Sequence, residues 1–135
     1  MSLKDIKEQK LQDRQAIVFA VIKMMLIDGY MDKRELSTIK KIYSFLFNKK
    51  LTHEKLKNLI FKVTQSNDFS KGESIVAETI SRSIITKRSR REATEALILV
   101  MLADKNIHTS EHNLIQLICH AWDTYDIYDE YINDS

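Results

Sequence analysis

The sequence predicts an all-α fold, a single bundle of about seven helices, and three observations carry that prediction. The 135-residue chain contains no proline and two glycines, so the turn chemistry of a β-sandwich or barrel is nearly absent. Apolar residues recur at three-and-four spacing through most of its length, which is the signature of one helical face. One helix–turn–helix pattern also occurs twice: Asp28 and Glu35 return as Asp104 and Glu111, 76 residues later in both cases.

In chain order, Leu3 to Leu11 reads as helical, either separate from the next segment or continuous with it. Ala16 to Ile27 is apolar on nearly every side, with Lys23 as the interruption, and a helix of that character belongs in the centre of a bundle. After the Asp28-Gly29 turn, Leu36, Ile39, Ile42, Tyr43 and Leu46 form one amphipathic stripe. Two further stripes run through Leu56, Leu59, Ile60 and Val63, and through Ile75, Val76, Ile80 and Ile84. Ala96 to Ala103 repeats the all-round apolar character of the first central segment. Ile115, Ile118 and Trp122 then answer to Ile39, Ile42 and Leu46, and a short last helix covers Tyr125 to Ile132. The whole chain, 1–135, reads as one domain with repeat units at approximately 16–47 and 92–123. Met31 and Ile107 correspond, each expected as an apolar plug inside its turn.

Helix starts have their own signals. Ser70-x-x-Glu73 and Ser89-x-x-Glu92 have the form of capping boxes, in which hydroxyl and carboxylate satisfy each other's backbone N–H groups. Asp32-x-x-Glu35 is a weaker version of the same device. Glu35 and Glu111 fall at the third helical position, where an acid is favoured beside the positive end of the helix dipole.

Asp28 and Asp104 need a different account, because each closes a buried helix whose terminal carbonyls disfavour an anion. Gly29 permits a left-handed turn whose N–H groups an Asp side chain can accept. The alternative is a bound cation. Asp28, Glu35, Asp104 and Glu111 together make an all-oxygen donor set suited to calcium, magnesium or manganese, provided that the two turns meet in space. An EF-hand does not fit: acids at positions one, three and five, glycine at six and glutamate at twelve are required, whereas Tyr30 stands third and the glutamate eighth.

An apolar helix ending in Asp-Gly, an apolar residue two positions after the glycine and a glutamate seven after the aspartate resemble the TerB-like domain. That family includes the tellurite-resistance protein TerB and the N-terminal domain of the membrane co-chaperone DjlA. The resemblance implies an all-helical bundle of about seven helices and a role in tellurite resistance and stress response. It implies divalent-cation binding by Asp28, Glu35, Asp104 and Glu111, and a protein partner at a membrane-associated complex. The second copy departs from the pattern: Lys105 replaces the glycine, beside Asp104, and His108 takes the capping position. No J domain accompanies the match, so a DjlA-type chaperone activity does not transfer.

Other motifs carry less. His108 to His112, "HTSEH", has the H-x-x-E-H form of inverted zinc proteases, but only its glutamate recurs in the first copy, so solvated or capping histidines are expected. Cys119 and His120 are adjacent and point about 100° apart on a helix, so Cys119 is expected as a buried filler. Lys87, Arg88, Arg90 and Arg91 are expected in a solvated turn between helices, and the lysines from Lys49 to Lys62 on a wet helix face. No nucleophile with a paired base and no phosphate loop is legible, so no enzymatic activity is expected.

Apolar residues make up 44% and charged residues 30% of the chain, ordinary for a globular protein. The one cysteine cannot form an internal disulfide, no apolar run approaches a membrane span and the N-terminus lacks the apolar stretch of a secretory signal, so a cytoplasmic location is expected. The net charge of +2 hides an acidic tail: from Cys119 to Ser135 there are no lysines or arginines. A basic body with such a tail folds it back or solvates both more often than it binds nucleic acid, so no nucleic-acid partner is expected. Oligomeric state has no signature here.

Overall fold

The computed structural model describes residues 2–27, 31–66, 71–103 and 109–132, and among them seven helices and no strand. They are α1 (Leu3–Leu26), α2 (Lys33–Phe47), α3 (His53–Thr64), α4 (Glu73–Ser83), α5 (Lys87–Leu102), α6 (Thr109–Trp122) and α7 (Tyr125–Ile132). The opening segment is continuous with the first apolar run, since nothing between Leu11 and Ala16 breaks a helix. Ser2 and Asp5 start α1 with a reciprocal capping box, Asp5 N–H donating to Ser2 Oγ at 3.2 Å and Ser2 N–H to Asp5 Oδ2 at 3.1 Å.

Two helices organise the rest. α1 packs against α5 and also touches α2, α3, α4 and α6; α5 packs against α1, α2, α6 and α7. Ile17, Val21, Ile22, Met24 and Met25 of α1 are sealed from solvent beside Leu97, Ile98 and Met101 of α5 in one core. α5 is not apolar to all sides in the way its sequence suggested: Leu99 and Leu102 lie one turn apart on an exposed edge. Nor do two other apolar residues behave as expected. Ile75 is exposed beside its buried neighbour Val76, and Met31, at 53% exposure, is no plug; Ile107 lies outside the described residues.

The helix ends that flank the two turns are 76 residues apart, whereas the starts of α1 and α5 and the ends of α2 and α6 are not. α1 stops at Leu26 with Ile27 N–H on Met24 O at 3.2 Å, and α5 stops at Leu102 with Ala103 N–H on Val100 O at 3.2 Å. α2 opens at Lys33 and α6 at Thr109.

Several starts differ from the capping expectations. α5 opens three residues before the Ser89 box: Thr86 is the N-cap, and Ser89 N–H donates to its hydroxyl at 3.2 Å. Glu73 is the first residue of α4 rather than the third, behind Gly72 at φ +102°, a conformation that favours glycine; Ser70 lies outside the described residues. Lys87 to Arg91 accordingly form the first turn of α5, not an interhelical loop. At the other end α6 finishes on Asp123 in the left-handed region, with Thr124 N–H on Cys119 O at 3.1 Å, a Schellman closure. The Thr124 hydroxyl then meets that of Thr94 at 3.0 Å inside the bundle, so the α6–α7 corner is tied to α5.

Candidate functional site

Glu35 and Glu111 stand third in α2 and α6, as their spacing predicts, but both are buried, at 2% and 1% exposure. A capping glutamate on a surface helix keeps its carboxylate in water. Here each is taken out of it, which is costly unless hydrogen bonds or a cation compensate. Asp28 and Asp104 lie outside the described residues. Among the described residues no group of three His, Cys, Asp or Glu side chains clusters as a metal site. The four-carboxylate set is chemically coherent as a hard-cation donor set, and its described half consists of two buried carboxylates.

Asp32 has a local role. It caps α2, accepting from Arg34 N–H at 2.7 Å and from Arg34 Nε at 3.2 Å. The Arg34 side chain and then its backbone N–H hold the Asp32 carboxyl below its usual range. Asp32 is thus engaged as a cap beside the buried Glu35.

The other motifs resolve into packing. His112 meets the Tyr128 hydroxyl, Nε2 to Oη at 2.8 Å, with the rings edge-on at 5.5 Å; His108 lies outside the described residues. Cys119 is fully buried and His120 exposed, as the 100° offset predicts. Burial pushes the Cys119 thiol up.

The basic run at α5 is largely spent on the protein itself. Arg91 grips Asp126 of α7 at 2.6 and 3.3 Å, so the acidic tail does fold back on the basic body. Arg90 donates from Nε to Ile84 O at 2.8 Å and lies over the Trp122 ring. Arg88 pairs with Glu92. The lysines of α3 face solvent, as expected.

Asp13 was not singled out by the sequence, yet it is a buried and fully engaged acid. It is 0% exposed and accepts from Ile85 N–H at 3.2 Å, Thr86 N–H at 3.1 Å, Thr86 Oγ1 at 2.9 Å and Gln9 Nε2 at 2.9 Å. The available signal was its position: Asp13 is four residues before Ile17 and eight before Val21, an acid on the core-facing stripe of α1.

The family model described as "Tellurite resistance protein TerB" matches residues 7–124. No curated protein and no solved structure matches the chain. Among the described residues no helix is long and apolar enough to cross a membrane.

Proposed function

Since the chain belongs to the TerB family, we propose that it is a non-enzymatic, tellurite-resistance-related stress-response protein that binds a divalent cation, calcium, magnesium or manganese, through Asp28, Glu35, Asp104 and Glu111. The observation that carries the reading is the burial of Glu35 and Glu111 at equivalent positions of α2 and α6. Hard cations take six to eight oxygen ligands, some of them water, and carboxylates are their usual protein donors. A cation would offset the unfavourable placing of two aspartates after helix carboxyl ends, and two carboxylates set inside the protein are positioned as donors to it.

Thermal melting with added calcium, magnesium or manganese tests this. Binding to the folded state at a hundredfold over the dissociation constant is worth about 2.7 kcal/mol, so Tm should rise by roughly 5–10 °C. Asp28→Ala should remove the rise. An unchanged Tm at millimolar concentrations of all three ions would reject the proposal.

A second reading, an adaptor that engages a protein partner without metal, draws on exposed aromatic surface. Phe45 is 83% exposed and Phe61 64%. Phe45 borders a groove of about 490 Å³ between α2 and α5, floored by Ile42, Leu46 and Leu99. Apolar surface of this kind on a folded domain marks interaction sites.

A further inference from the structure

Charge is distributed unevenly over the bundle. Between Lys33 and Lys62 nine lysines and arginines stand against two glutamates, Glu35 and Glu54, and Glu35 is buried. The segment from α2 through α3 is therefore strongly basic on a chain whose net charge is +2.

A second groove, of about 490 Å³, lies where α1, α2 and α3 meet. Its floor is apolar and aromatic: Phe19 from α1, Tyr43 and Phe47 from α2, and Leu59 from α3. The Tyr43 and Phe47 rings sit 4.8 Å apart and tilted, one turn apart on α2. Lys49, Lys55 and Lys62 complete the lining, and among the described residues no acid lines the groove. The Lys55 ammonium lies over the Tyr43 ring at 5.1 Å from its centroid, which holds a positive charge directly above the apolar floor. None of the three lysines makes an ion pair among the described residues, in contrast to Arg88 and Arg91 of α5.

We propose that this groove is the docking site for an acidic amphipathic segment of a partner protein, one that seats one or two bulky apolar side chains on the aromatic floor and sets Asp or Glu against Lys49, Lys55 and Lys62. The charge pattern selects an anionic partner, because complementary charge steers encounter and like charge is rejected. The concavity selects a peptide over a flat anionic membrane: a cleft of this size accepts inserted side chains, as in helix-in-groove recognition. The inference deepens the adaptor reading and rests on it; it is independent of the cation.

The test uses the full chain against a displayed library of random peptides about 16 residues long, enough for roughly four helical turns. Enriched peptides should carry bulky apolar residues at helical spacing flanked by Asp and Glu, and should shift the amide resonances of Phe47 and Leu59. Their affinity should fall at least about tenfold for Lys49→Glu/Lys62→Glu and weaken with added salt. Both lysines are exposed, and the resonance shifts on the unaltered chain test the site even if that variant folds poorly. Enriched peptides that lack acids, or that bind the double variant undiminished, overturn the inference. If Phe45→Glu removes binding instead, the adaptor reading stands and this groove is rejected. If no peptide is enriched, both fall. Sedimentation with phosphatidylcholine vesicles containing about 30% phosphatidylglycerol, dependent on the two lysines and without peptide binding, would assign the face to lipid and overturn the inference.

Discussion

Asp13 and Thr86, 73 positions apart, are joined by two hydrogen bonds to one carboxylate oxygen: Thr86 N–H and Thr86 Oγ1 reach Asp13 Oδ2 at 3.1 and 2.9 Å. Thr86 is the N-cap of α5, and its hydroxyl in turn accepts from Ser89 N–H. A single side chain of α1 therefore satisfies the approach to α5 at the point where the two central helices lie together.

Asp13→Ala should cost about 1–3 kcal/mol, because it leaves two partly buried backbone N–H groups and the Thr86 hydroxyl without their acceptor. Asp13→Asn should cost less, since one oxygen remains. Chemical denaturation monitored by circular dichroism measures both; a loss below about 0.5 kcal/mol for the alanine variant would contradict the assigned role.

Acid should release the same latch. Burial alone would raise the Asp13 carboxyl, but the hydrogen bonds from Thr86, Ile85 and Gln9 outweigh it and hold the group below the ordinary 3.8. The folded-state value is thus below the unfolded one. Its contribution to stability is fully present above about pH 5 and is lost as pH falls through the unfolded and then the folded value. Denaturation measured from pH 6 down to pH 3 should show a steeper decline for the natural chain than for Asp13→Asn. Parallel curves would count against it.

Leu97 and Leu99 occupy the same apolar run with opposite fates. Leu97 is fully buried and Leu99 is 38% exposed. Leu97→Ala should cost about 2–5 kcal/mol through lost burial and a cavity, whereas Leu99→Gln should stay within about 1 kcal/mol. Equal costs in urea titration would contradict the helix orientation.

Cys119 should be inert while the chain is folded. Its thiol is buried and pushed up by desolvation, and the thiolate is the reactive form. Labelling by a disulfide-exchange reagent at pH 8 should be slow in buffer and fast in denaturant; rapid native labelling would refute the packing of α6.

The glutamates give a paired prediction. If Glu35 and Glu111 serve one cation, Glu35→Gln and Glu111→Gln should each weaken cation-induced thermal stabilisation by a similar amount. Calorimetric melts with and without the ion provide the comparison, and a deficit confined to one variant would argue against a shared ion.

Much of the bundle was legible along the chain because helical periodicity is local. Apolar spacing located the described helices and placed the segments that carry Met24, Met25 and Met101 in the core, and capping signals put Glu35 and Glu111 third in their helices. The same spacing cannot say how wide a face its neighbours cover, so Leu99, Leu102 and Ile75 were expected inside and lie at the surface. The Ser89 box was misleading for a related reason: a cap depends on which residue leaves the helix first. Thr86 does so because Asp13, remote in sequence, binds its N–H and hydroxyl.

The sequence by itself determined the helical class and the family, since both are encoded in spacings between neighbouring residues. Only the tertiary structure decided that Asp13 holds α5, that Arg91 draws the acidic tail back through Asp126, and that lysines from α3 rim an aromatic floor built by α1 and α2. Each of those unites residues distant along the chain, and such pairings arise only when helices choose their neighbours by burying their apolar faces together.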